Sequence, residues 1–186
     1  LKFAQDTIRQ TTEWKEEIDR LCEKIRRNIS QTEALEFAKF WYDLLNSNTS
    51  RSYYVEMRAE AIQDQLADEK ISLAQGKKEL EELRKLDKNN VTVLDLLKRI
   101  NQIEESQEID RLLKNKDLEG AVRKARSSQD EKIRYRVAEI CLEILVEGIK
   151  NRELDREGIM QLGRWAYSLC PNEPDFIEIY RELGIR

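Results

Sequence analysis

Apolar residues recur three or four positions apart along almost the whole chain. No run alternates with a period of two between turn residues. The pattern predicts an all-α fold, and it changes character along the chain. In residues 4–28, Trp14, Ile18, Leu21 and Ile25 form a narrow stripe of the kind that lines a coiled-coil seam. Ser30 and Glu33 stand at capping-box spacing and start a second helix. Its Leu35, Phe37, Ala38, Phe40, Trp41, Leu44 and Leu45 make a broad apolar face, and the polar cluster 46–50 ends it. Residues 51–87 read as one long helix, or as two bent at Gly76. Val55, Ala59, Ile62, Leu66, Leu73, Leu80 and Leu83 follow a heptad there. The natural partner of that seam is the first helix. Residues 1–87 are therefore expected to form a long-helix bundle or hairpin.

Asp87-Lys-Asn-Asn90 is the expected boundary, leaving 88–186 as a second region of shorter helices. Thr92 is placed to cap a helix carrying Val93, Leu96, Leu97, Ile100 and Ile103. Helices are then expected at 106–115, 117–127, 131–150, 155–170 and 173–183, with Asp117, Ser128 and Asp155 at N-cap positions. Short helices joined by short turns suggest stacked hairpins that pack with the first region or stand beside it. Glu131–Lys150 is the most apolar stretch. Ile133, Val137, Ile140, Cys141, Ile144 and Leu145 cover one side and Tyr135, Ala138, Leu142 and Val146 another. A helix apolar over so much of its circumference is expected at the centre of a core, with one thin wet stripe.

Ala166, Leu169, Pro171, Asn172 and Pro174, followed by Ile177 and Tyr180, resemble the junction between tetratricopeptide-type repeats. The run Asp117-Leu118-Glu119-Gly120-Ala121 is similar to the turn that leads into the second helix of such a unit. The resemblance covers residues 106–183, with Arg181 standing where a glycine is usual. It implies a solenoid-like module that binds a peptide or protein.

Composition narrows the chemistry. The 186 residues are 38% charged with a net charge of −4, against the basic balance usual for a nucleic-acid binder. No apolar run approaches the ~18 residues of a membrane span. Histidine is absent, so neither a Ser-His-Asp triad nor a Cys-His pair is available. The three cysteines, Cys22, Cys141 and Cys170, lie far apart on apolar faces and read as reduced thiols of an intracellular, cytoplasmic protein. No phosphate-cradling glycine loop and no metal-ligand spacing occurs. No cofactor and no enzymatic activity is expected.

Two features bear on partners. Residues 111–136 hold nine basic and four acidic residues, and Arg123, Lys124 and Arg126 share the outer face of their helix. They form either a docking patch for acidic partners or a solvated face balanced by residues 137–186, which hold six basic and ten acidic residues. Arg134 stands among apolar positions. It reads as a structural arginine paired to an acid on a neighbouring helix, or as one that lines a groove. The seam of Ile62, Leu66, Leu73 and Leu80 is the expected route to a homodimer. The expected function is a non-catalytic protein-interaction or scaffolding module. The alternatives are a nucleic-acid accessory domain using the face of 111–136, or a helical regulatory segment of a larger enzyme, since the sequence lacks an initiator methionine.

Overall fold

A computed structural model describes the backbone of residues 2–185, and side chains throughout that range except in 2–10 and at 31 and 32. Among the described residues there are nine helices and no strand, so the fold is all-α. The helices are α1 (Lys2–Arg26), α2 (Gln31–Leu45), α3 (Asn48–Ala67), α4 (Leu73–Leu86), α5 (Val91–Lys114), α6 (Leu118–Ser127), α7 (Glu131–Asn151), α8 (Arg156–Leu169) and α9 (Pro174–Glu182). The chain divides into two units, residues 1–100 and 101–186, and α5 supplies helix to both. The expected boundary at Asp87–Asn90 is instead the turn between α4 and α5. There Asn89 N–H donates to Asp87 Oδ1 at 3.2 Å, and Val93 N–H donates to Asn90 Oδ1 at 3.0 Å. Asn90, not Thr92, takes the capping role.

In the first unit the long helix expected over 51–87 is two antiparallel helices. The chain leaves α3 at Ala67, passes through Glu69 at φ +56°, and re-enters helix at Ser72, whose hydroxyl accepts Gln75 N–H at 3.2 Å. Gly76 is a point of close approach, not a bend. A Cβ there would stand 2.9 Å from the Leu66 side chain. The heptad seam thus folds onto itself. Ile62 and Leu80 are wholly buried, and Leu66 and Leu73 pack against the same core, which Val93, Leu96, Leu97 and Ile100 of α5 complete. The surface assigned to self-association is the interior of this unit. α1 does not cover the seam either. It packs on α2, where Cys22, Ala38, Trp41 and Tyr53 enclose a second small core.

The second unit is built around α7, which packs on α6 and α8. Val137, Ala138 and Cys141 are fully enclosed, with Ile109 of α5, Ala121 and Ala125 of α6, and Ala166 of α8 in the same core. Arg136 of α7 ties to Asp110 of α5, and Ser128 Oγ donates to Glu105 Oε2 at 2.9 Å. α6, α7 and α8 are capped by Asp117, Asp130 and Asp155. Ser128, expected as a cap, instead accepts the N–H of Asp130 through its hydroxyl at 3.1 Å. The helix expected at 106–115 is the C-terminal part of α5, since no breaking residue interrupts 101–112. α7 is not buried almost all round: Ile144 is 40% exposed, and Val146 and Ile149 are exposed as well. Its apolar arc is wider than the surface α6, α8 and α9 cover.

Candidate functional site

Among the described residues, the α1–α2 hairpin leaves Trp14, Leu21, Ile25, Phe40 and Leu44 exposed. α1 ends at Arg26, and the Ser30 hydroxyl donates to Glu33 in the first turn of α2. Asp19 locks the two helices together. Its Oδ1 accepts Trp41 Nε1–H at 2.8 Å and the Ser47 hydroxyl at 2.8 Å. The Arg26 guanidinium sits over the Tyr53 ring, 5.1 Å from its centroid. These contacts turn the Cys22 side of α1 onto the Trp41 side of α2.

Beside that contact each helix carries a second apolar stripe. At roughly 100° per residue, Trp14, Ile18, Leu21 and Ile25 lie about 40–100° to one side of Cys22. Phe37, Phe40 and Leu44 lie at the same offsets, to the same side of Trp41. Reversing the chain direction also reverses the sense of rotation, so in an antiparallel pair the two stripes emerge on one common face. Exposure agrees: Trp14 is 70% exposed, Leu21 and Phe40 each 57%, and Leu44 50%, while Ile18 and Phe37 form the half-buried floor. The Phe37 ring bridges from Phe40, 6.5 Å away, to buried Trp41, 6.1 Å away. A groove of about 560 Å³ runs beside Trp14, Ile18 and Leu21, edged by Glu17, Arg20 and Lys24.

The basic residues singled out by the sequence lie in the other unit. Arg123, Lys124 and Arg126 are all exposed on α6, opposite its buried Ala121, Val122 and Ala125. Arg126 Nη2 donates to Ser168 Oγ of α8 at 2.7 Å. Among the described residues no carboxylate lies within 4.0 Å of any of the three, so direct pairing with the acids of 137–186 is not what the structure contains. Arg134 is separate from them. It reaches back along the chain, donating from Nη1 to the Ser128 carbonyl at 3.3 Å and lying 3.6 Å from Glu131 of its own helix. The acid on a neighbouring helix is not its partner. Arg134 lines a cleft of about 610 Å³ with Tyr135, Leu169, Cys170 and Glu173, which none of the α6 residues enters.

Burial raises the Cys170 thiol, as does the nearby Glu173, while Arg134 lowers it. Among the described residues no three His, Cys, Asp or Glu side chains cluster as metal ligands, and no helix is long and apolar enough to cross a membrane. No protein-family model, curated protein or solved structure matches the chain.

The sequence named Trp14, Leu21 and Ile25 as a seam but assigned it to an internal partner. Of the broad apolar face it gave α2, Trp41 is buried while Phe40 and Leu44 are exposed. Their common face was legible only through the hairpin: a four-residue link forces the helices antiparallel, and the equal offsets from Cys22 and Trp41 then place both stripes together.

Proposed function

We propose that this chain is a helical protein-interaction module whose docking surface is the apolar face of the α1–α2 hairpin. One observation carries the reading. In a chain that is 38% charged, Trp14, Leu21, Phe40 and Leu44 are half or more exposed on one side of a single hairpin. Contiguous apolar surface of this kind, rimmed by charge, is what a partner helix or another protein surface covers. Exposed aromatics supply large contact area for little lost side-chain freedom. The test is a photo-activated cross-linker at position 40, with position 78 on exposed α4 as control, in cells producing the protein. The reading expects a discrete protein adduct at 40 that Leu21→Glu removes. Identical adducts at 40 and 78 would sink it.

A second reading rests on the α6 face. Among the described residues no carboxylate pairs with exposed Arg123, Lys124 or Arg126, the last donating only to the Ser168 hydroxyl, and the face is open to an acidic protein or a nucleic-acid backbone. Phosphate contacts would show as a steep loss of oligonucleotide binding between ~50 and ~200 mM salt. A shallow dependence would leave the patch to proteins.

A further inference from the structure

We infer that the apolar face of the α1–α2 hairpin takes an amphipathic helix carrying basic residues along the edge that lies over α2. This rests on the docking reading above and adds the chemistry of the partner. The occupant is a helix because this face offers only side chains. Both elements that form it are helices with their backbone groups paired internally, so an extended strand would find no ladder to join. Two parallel ridges of large side chains instead accept a third helix at ~8–10 Å between axes. The stripe from Trp14 to Ile25 is about three turns long at ~1.5 Å per residue, which sets the length of helix it covers.

The charge follows from the rim. Glu33, Glu36 and Asp43 are exposed along the outer edge of α2, beside Phe40 and Leu44, and outnumber Lys39, which is exposed on the same edge. Glu33 is engaged by Ser30, but among the described residues no cation lies within 4.0 Å of Glu36 or Asp43. The edge of α1 is mixed. Glu17 opposes Lys24, and Arg20 lies 3.9 Å from Glu16, so it sets little preference. An incoming helix with lysine or arginine over α2 meets unpaired carboxylates next to an apolar floor. A helix with acids there meets repulsion.

A second copy of this chain fits less well. Two symmetric arrangements stack one hairpin on another. In the first, α2 lies antiparallel on α2 and sets the acidic edge against itself. In the second, α1 lies on α2 and sets the mixed edge of α1 against the acidic edge of α2. Neither arrangement uses the acidic edge favourably.

The experiment uses the full chain and two synthetic helical peptides of ~18 residues with one leucine stripe, bearing either lysine or glutamate along one edge. Neither peptide contains tryptophan, so the readout is the blue shift of the protein's exposed Trp14. At ~50 mM salt the lysine peptide should bind at least ~10-fold more tightly than the glutamate peptide, and the gap should narrow at ~500 mM. Glu36→Lys/Asp43→Lys, both at exposed positions, should reverse the order. Leu21→Glu/Phe40→Glu should abolish binding of both. Equal affinities would overturn the charge assignment and leave the docking face standing. Binding of neither peptide would overturn the docking face itself. A dimer at ~100 μM that Phe40→Glu dissolves would assign the face to a second copy and overturn the inference.

Discussion

Leu145 and Ile144 are adjacent on α7, yet Leu145 is enclosed by the second unit's core while Ile144 reaches solvent. Leu145→Ala should cost about 2–5 kcal/mol, transfer and cavity together. Ile144→Ala should cost only about 1 kcal/mol, since part of its surface already meets water and the change opens no enclosed cavity. Urea unfolding of the two variants checks the difference, and equal costs would mean that α7 is rotated from this placement. Cys141 makes a different prediction. Burial pushes its thiol from the ordinary 9.0 up to about 12. The unfolded chain therefore sheds this proton near pH 9 while the folded chain still holds it. The unfolded state binds fewer protons across that window, so stability falls as pH rises from about 9 to about 12, by up to ~1.4 kcal/mol per pH unit. Below about pH 9 the term vanishes. Tyr53, Tyr135 and Tyr180 are raised by burial as well, so the whole protein loses stability in alkali. Cys141→Val should show the shallower loss. Parallel pH profiles for the two proteins would contradict the burial of this thiol.

At the scale of elements, α6 begins on one contact. Asp117 Oδ1 accepts Gly120 N–H at 2.8 Å, and a Cβ at Gly120 would stand 2.3 Å from Asp117 Oδ2. Removing the cap by Asp117→Ala should cost about 1 kcal/mol. Gly120→Ala should also destabilise, because the methyl displaces the capping carboxylate. In the Asp117→Ala background the same change has nothing to displace and should be neutral or stabilising, as expected for glycine to alanine in a helix. Thermal melts of the four proteins form the cycle, and simple additivity would show that the carboxylate steps aside freely.

Most helices were legible because a 3.6-residue period needs only the local chain. The failures were at junctions. Val55 to Leu83 keeps heptad spacing across 68–72 although the chain reverses there, since the two halves of the seam face each other. The local signal was Ser72 three residues before Gln75, a capping pair in a stretch without glycine or proline. The opposite error divided α5, where the polar, helix-compatible residues 104–107 looked like an end and are an interior.

For the whole molecule, the basic face was legible because charge on an outer helical face needs no knowledge of neighbours. The apolar face was not, because which stripe stays uncovered depends on where the next helix lies. The basic face also makes the last prediction. Reversing Arg123, Lys124 and Arg126 to glutamate changes the charge by two at each position and takes the net charge from −4 to −10. Only the Arg126–Ser168 hydrogen bond is lost, and all three side chains are exposed. Exposed substitutions of this kind stay within about 0.5 kcal/mol each. In a chain of this length the midpoint should then fall by less than about 5 °C. Retention on a polyanionic resin at ~50 mM salt should vanish at the same time, because the patch is the densest positive surface on α6. The two readouts separate local pairing from the field of the molecule. A fall of ~10 °C or more would mean that the acids of 137–186, none within 4.0 Å of the three, act on the patch through longer-range attraction. The three charges would then hold the second unit together, and unchanged retention on the resin would show that they are not the surface that meets an anion.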